Sequence, residues 1–296
     1  MAGGFGGLLA NSETVDRLLD EMDPADKKSL QSWYWFDWAN QAFALTVITV
    51  VVPTLLSNMF NLANGGSADY AGMTFTGDSF YAVVLGISSV FVAIVSPVLG
   101  AIADRMPIKK KILKVYTVVG ILFTGLMGLA PYMDDNSSYK FLAICLIMGN
   151  IGFAGGHAIY SAFLPYLGDR RLMDHISSWG YAYGFLGGCI LLTVHLAVGL
   201  RFGFEDPDVQ CFVFVTSALW WLGFSVPMFR NTPEPEIPNP TEYPNVFEAV
   251  KDGLREIKST FLEIRRYKVL SLFMCGYLLF YDGVNAIGGW RRHMLI

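Results

Sequence analysis

Charge is scarce in this chain. Only 16% of its 296 residues are Asp, Glu, Lys or Arg, 53% are hydrophobic and the mean hydropathy is +0.43. A soluble globular domain carries about 25% charged residues, so a water-solvated globule is excluded. Paired cysteines are also lacking: Cys145, Cys189, Cys211 and Cys275 all fall inside apolar runs and none sits in a CxxC pair. That excludes a disulfide framework or a zinc ribbon and leaves buried structural thiols. The four histidines show no HxxxH spacing and no accompanying carboxylate cluster, so neither a metal nor a cofactor is expected. There is no surplus of positive charge, the net value being -4, and hence no nucleic-acid partner. Nor does a leader open the chain; the first 32 residues are polar and acidic, with "ETVDRLLDEM" reading as a short amphipathic piece of a cytosolic arm.

What the chain has in abundance is long apolar runs. A helix of roughly 20 residues crosses a bilayer core about 30 Å thick, and seven runs reach that length: Trp33 to Phe60, Ser79 to Ala103, Ile112 to Met133, Lys140 to Tyr166, Ile176 to Leu200, Val209 to Phe229 and Val269 to Gly289. The fold class is therefore an all-α membrane protein, with the lipid bilayer as its main partner.

The basic residues alternate between connections. Arg17, Lys27 and Lys28 precede the first run, Arg105, Lys109, Lys110, Lys111 and Lys114 occupy the second loop, and Arg170 and Arg171 the fourth; the intervening connections hold only Lys140 and Arg201. By the positive-inside rule the amino terminus is cytoplasmic, in the plasma membrane if the cell is prokaryotic. Trp33, Tyr34, Trp35 and Trp38 are then expected at the inner headgroup boundary.

The sixth connection divides the chain. "TPEPEIPNPTEYP" has five prolines in thirteen residues and cannot be helical. After it, Phe247, Val250, Leu254, Ile257, Phe261 and Ile264 recur at steps of three and four, with Asn245 placed as a cap, which predicts an amphipathic helix. Four segments follow: an arm over 1–32, a six-helix bundle over 33–229, a linker with that helix over 230–268, and a seventh span with a tail over 269–296.

Polar residues inside the spans are the candidate site. Asp37, Asn40 and Gln41 share one helical face at i, i+3 and i+4. A carboxylate at mid-bilayer costs about 2.5 to 3.5 kcal/mol and should face protein or water, as a solute or proton site or as a carboxylate paired with Lys27 or Lys28. His157 sits among glycines in the fourth span with Tyr160 and Ser161 one turn later, a candidate cavity group; His195 in the fifth is expected as a neutral imidazole bonded within the bundle. The glycines of "GNIGFAGG" and "GYAYGFLGG" mark faces where helices approach closely.

Several stretches together resemble one family. "WFDWANQAFALTV" from Trp35, "SAFLPYLG" from Ser161, "SSWGYAYGFLGG" from Ser177, "ALWWLGFSVPMF" from Ala218 and "YLLFYDGVNAI" from Tyr277 look like successive helix ends of the vacuole-effluxer, or autophagy-related, branch of the major facilitator transporters. "GAIADRMPIKKKIL" is similar to the facilitator signature between the second and third helices, with Gly100, Asp104, Arg105 and Lys109 in place and Pro107 and Ile108 where a Gly and an Arg are usual. The resemblance implies a six-helix amino-terminal bundle of the facilitator fold, a cytoplasmic gate at that signature, and efflux of amino acids or similar small solutes, with protons as a possible coupled partner. It also implies twelve spans, so the carboxyl-terminal half is missing from this chain after the seventh, and a second polypeptide supplying the other helices, or a non-transporting fragment, is the alternative. Spans one and seven should correspond, and "FDWAN" and "YDGVN" do, which adds Asp282 and Asn285 to the pathway.

Two rivals fall away. A retinal pigment needs a lysine in the seventh span, and 269–289 has none. A membrane-embedded enzyme needs a convergent nucleophile, base or metal, and only scattered single residues exist, so the chain is not read as an enzyme. The orientation has a direct test: single cysteines placed between Asn61 and Asp78 should label with an impermeant reagent on intact cells, and labelling only after the cells are opened would overturn it.

Overall fold

The computed structural model describes residues 12–237, 240–241, 243, 246–264, 267–269, 271–277 and 279–280. After the short helix α1 (Ser12–Glu21), a 41-residue helical path from Pro24 to Asn64 forms the first span. It is made of α2 (Pro24–Ala42), a π-helix (Phe43–Val51) and α3 (Val52–Asn64). Pro24 starts α2 at a position where its missing N–H has no helical partner to lose. Pro53 has the opposite effect, because it sits inside the path, donates nothing and crowds the turn before it. The turns ahead of it widen to five-residue bonding, with the Val52 N–H reaching the Val47 carbonyl. In that spacing Pro53 would have served Ile48, and the Ile48 carbonyl instead accepts the Tyr81 O–H at 3.0 Å. Lipid offers no water for an orphan carbonyl, so a side chain from the next span fills the role.

Between Asn61 and Asp78, expected as an outer loop, lies a hairpin. α3 continues to Asn64, and β1 (Ser67–Tyr70) pairs antiparallel with β2 (Met73–Thr76), Ser67 opposite Thr76. Ala71 and Gly72 both take positive φ at its tip, the conformation a two-residue hairpin turn requires. The other spans are α4 (Gly77–Ala103), α5 (Lys109–Met127), α6 (Asp135–Ser161), α7 (Met173–Phe202) and α8 (Pro207–Asn231). Short 3₁₀ turns follow α5 at Ala130–Tyr132 and separate α6 from α7 at Leu164–Tyr166 and Arg170–Leu172. Asp134 caps α6 by accepting the Ser137 N–H, and Asp206 caps α8 by accepting the Asp208 N–H.

Among the described residues six helices are long and apolar enough to cross a membrane. They overlay the first six runs of the sequence. The seventh run is helical over 271–277 and at 279–280, and its part beyond 280, with Asp282 and Asn285, lies outside the described residues, as does the expected cap Asn245. The proline-rich stretch is free of helix from Pro233 to Ile237, and α9 (Val246–Ile264) is the amphipathic helix expected after it.

Two compact units divide the chain. One comprises the chain to Ser96 together with Ala103–Pro240; the other joins Pro97–Ile102 to the chain from Thr241. Within the second, Gly253 of α9 lies against Val98 and Ile102 in the last turns of α4. Within the first, α2 is the central helix, set between α7 and α8. The glycine face of α7 makes this possible. A Cβ at Gly180 would lie 2.6 Å from the Trp33 ring, one at Gly187 2.5 Å from the Trp38 ring, and one at Gly188 2.5 Å from Leu45. α5 and α6 meet in the same way, with Gly152 directly against the Gly120 backbone. Small residues let helices approach closely where lipid supplies no hydrophobic drive between them.

The tryptophans of α2 pack against neighbouring helices. α2 starts at Pro24, so Trp33 is already more than two turns inside it and is buried. Its ring stacks on Tyr160, Trp35 stacks on Phe224 and Trp38 on Trp220, placing these rings in the contacts of α2 with α6 and α8. Apolar surface stays open along α4 at Val83, Ile87, Val90 and Ile94, as it does on α5, α7 and α8, while the buried Ser88 of α4 accepts the Asn150 amide at 2.7 Å.

Gly187→Ala should destabilise the protein by about 1–3 kcal/mol through overpacking against Trp38. A lower thermal unfolding midpoint in detergent reads this out. Gly223→Ala, where a Cβ meets open space, should not lower it.

Candidate functional site

A cavity of about 230 Å³ opens between α2, the end of α6 and the start of α7. α2 contributes Trp33 and Asp37, α6 contributes His157, Tyr160 and Ser161, and α7 contributes Ser177 and Tyr181, with Leu164 closing the wall. Trp33 and Tyr160 hold the two sides together reciprocally. The Trp33 indole N–H donates to the Tyr160 carbonyl and the Tyr160 O–H donates to the Trp33 carbonyl, both at 3.3 Å. Their rings lie 4.4 Å apart and 11° from parallel. Offset stacking of this kind adds about 0.5–1.5 kcal/mol beyond the area it buries.

Asp37 stands on this wall 3% exposed, and its Oδ1 has no hydrogen-bond partner. Among the described residues no lysine, arginine or histidine forms an ion pair with it, so the expected alternative of a pair with Lys27 or Lys28 is not formed; Lys27 donates instead to the Asp20 carbonyl. Gly184 makes room for the carboxylate, since a Cβ there would lie 2.5 Å from Asp37 Oδ2. His157 shares the half-satisfied condition, its Nδ1 being enclosed without a partner, while its carbonyl accepts the Ser161 hydroxyl at 2.9 Å.

Three of the residues singled out in the sequence, Asp37, His157 and Tyr160, are thus brought together on one wall. Asn40 and Gln41 are not on it. Asn40 is buried with its Oδ1 unpartnered, and the Gln41 side chain lies against Gly184. Trp33, Ser177 and Tyr181 were missed as wall residues. A signal existed for the α7 pair, because 177, 181, 184 and 188 follow at steps of three and four on the face that packs α2.

A second cavity, about 320 Å³, lies further along the first span between α3, α7 and α8, lined mainly by apolar groups such as Val51, Leu55, Leu196 and Val213. His195 borders it but is satisfied as expected, its Nε2 2.9 Å from the Thr216 hydroxyl and its Nδ1 3.4 Å from that of Thr46. The smaller cavity is the candidate site, because its wall carries both Asp37 and His157 with a buried, unpartnered side-chain atom each, whereas the histidine of the larger cavity is satisfied.

The signature after α4 forms a separate cluster. Lys109 Nζ donates to Asp104 Oδ1 at 2.6 Å and lies 5.3 Å from the centre of the Tyr166 ring; the lysine is 1% exposed. Three lysines in the first turn of α5 oppose the helix dipole. Glu234 offsets them by accepting the Lys110 N–H at 2.9 Å, while Lys110 Nζ donates to the Thr232 carbonyl at 2.6 Å. Arg105 is half-buried, and Gly100 has open space where a Cβ would stand, so no close approach requires it. Ahead of α7, the hydrogen bonds of Arg171 hold the Asp169 carboxyl down at about 2.

Chemically the cavity can bind and orient a small polar solute. Its wall has one carboxylate, one imidazole, hydroxyls and three aromatic rings, and no nucleophile is paired with a base in the manner of covalent catalysis. Among the described residues no cluster of three or more His, Cys, Asp or Glu side chains is arranged to hold a metal.

Residues 25–290 match the model of the family described as "Vacuole effluxer Atg22 like". Over 276 residues the chain is 28% identical to the "Uncharacterized MFS-type transporter YxiO" of Bacillus subtilis (strain 168), a match covering 88% of this chain and 58% of that protein. It is 21% identical over 298 residues to Autophagy-related protein 22 of Kluyveromyces lactis, covering 88% and 59%, and 21% identical over 378 residues to the protein of that name in Coccidioides immitis (strain RS), covering 91% and 59%. The chain spans less than two thirds of the length of these relatives. No solved structure matches it. A family match running over nearly the whole chain, on a fold with six membrane-length helices among the described residues, makes this a multi-pass membrane protein that belongs to the vacuole effluxer Atg22-like family.

Proposed function

We propose that the chain works in a secondary active transporter of the major facilitator type, which exports amino acids or similar small solutes by alternating access, with the amino terminus in the cytoplasm. One observation carries the proposal: a six-span bundle buries Asp37 on a cavity wall without a partner, and an ionisable group inside a membrane protein marks a solute or ion path by default. His157 and Tyr160 share that wall, and proton coupling through this pathway belongs to the same reading. The π-helix directly above Asp37 supports it, since discontinuous helices are where transporters build their binding sites. The names of the relatives agree, one being an MFS-type transporter and the family that of vacuole effluxers. Asp282 and Asn285 belong to the same pathway by the repeat between "FDWAN" and "YDGVN". The Asp104–Lys109 cluster is the gate at the cytoplasmic end, its pair able to break and re-form as α4 moves against α5.

Asp37→Asn introduced at the native locus should leave the amount of protein in the membrane unchanged and lower export of labelled amino acids by about tenfold or more, about 1.4 kcal/mol. Unchanged export, with unchanged dependence on external pH, would reduce Asp37 to a packing group.

A second reading is a non-transporting fragment or an accessory membrane subunit that acts only beside another chain. Alternating access needs a second bundle to rock against. Purified and placed alone in liposomes, the 296-residue chain should therefore bind solute without moving it across the membrane. Flux from a monomer in that preparation would overturn the requirement for further helices.

A further inference from the structure

We infer that the cavity beside Asp37 is an ammonium seat, so that the solute is a small amine or amino acid held by its positive charge, while the wall on these six spans takes no carboxylate. This rests on the reading of the cavity as a solute site.

The donors and acceptors on the wall decide the sign. A primary ammonium brings three N–H donors and one positive charge. The wall carries Asp37, whose enclosed Oδ1 lacks a partner, and the hydroxyl oxygens of Ser161 and Ser177, and His157 Nδ1, also unpartnered, is an acceptor in the Nε2–H tautomer. The Ser161 hydrogen is already given to the His157 carbonyl, which leaves that oxygen as an acceptor. No lysine or arginine lines the cavity.

Cost points the same way. A carboxylate 3% exposed and without a cation is expensive, and an entering ammonium removes the expense by forming the missing pair. A solute carboxylate placed there would meet Asp37 with nothing to offset the repulsion. Size is also suited: about 230 Å³ admits a solute with a short aliphatic body, and Leu164 supplies an apolar wall for it.

A matched series tests the inference on the full chain in nanodiscs by calorimetry. L-Valine, isobutylamine and 3-methylbutanoate share one branched body and carry, in turn, both charges, the ammonium alone and the carboxylate alone. Isobutylamine and valine should bind and compete with each other, and 3-methylbutanoate should do neither. Asp37→Asn should weaken both binders by about tenfold or more, as loss of a charge-assisted pair does. If 3-methylbutanoate competes as well as isobutylamine, or if affinity survives Asp37→Asn, the seat is overturned while the cavity remains a solute site. If none of the three binds the wild-type chain, the seat and the reading of the cavity as a solute site fall together. The wild-type series separates these outcomes without any variant having to fold.

Discussion

How closely α7 lets α2 approach governs the rest of the bundle. Without side chains at Gly180, Gly184, Gly187 and Gly188, the rings of Trp33 and Trp38, the carboxylate of Asp37 and the Gln41 side chain fit into the contact. Packing and polarity are settled by the same face. One glycine receives an indole and the next, a turn later, makes space for a charge-bearing group that lipid would reject. The cavity is what remains where that contact ends and the last turn of α6 leans in, held by the paired Trp33 and Tyr160 bonds.

Backbone chemistry inside lipid shapes the first span in a second way. A proline in mid-membrane leaves a carbonyl without its helical donor, and neighbouring side chains must restore it. Here the Tyr81 hydroxyl does so at Ile48. The bond ties α4 to the first span, which otherwise meets the bilayer along a largely open apolar stripe. The Ser88–Asn150 bond provides a comparable tie to α6.

The spans were legible because hydrophobic length is a property of sequence alone, and the six described runs carry six helices. Asp37 was legible for the same reason, as a carboxylate in an apolar run has few places to go. Its companions were less so. Residues 37, 40 and 41 cover an arc of about 100° on a helix, and that arc identifies a face only when one side of the helix is enclosed. α2 is enclosed on several sides, so the arc is split: Asp37 and Gln41 meet Gly184, and Asn40 is buried away from the cavity. The tryptophans of α2 gave no such signal for their stacking partners, because Tyr160, Phe224 and Trp220 lie on other helices far along the chain. Glu234, in a proline-rich stretch, carried no signal at all for its place at the start of α5.

The π-helix has a geometric consequence. Above it, α3 is joined to the start of α4 by the Ser57 hydroxyl on the Asp78 carboxylate at 2.8 Å and by the Gly77 N–H on the Asn61 side chain at 3.0 Å, so these parts form one block. Below it, α2 is fixed between α7 and α8. A stretch wound at five-residue spacing holds more chain per turn than an α-helix. It therefore sets the side chains of α3 at a different angle about the axis from the one a continuous α2 would give them, and the head of α4 is tied to a face of the first span that an unbroken helix would point elsewhere.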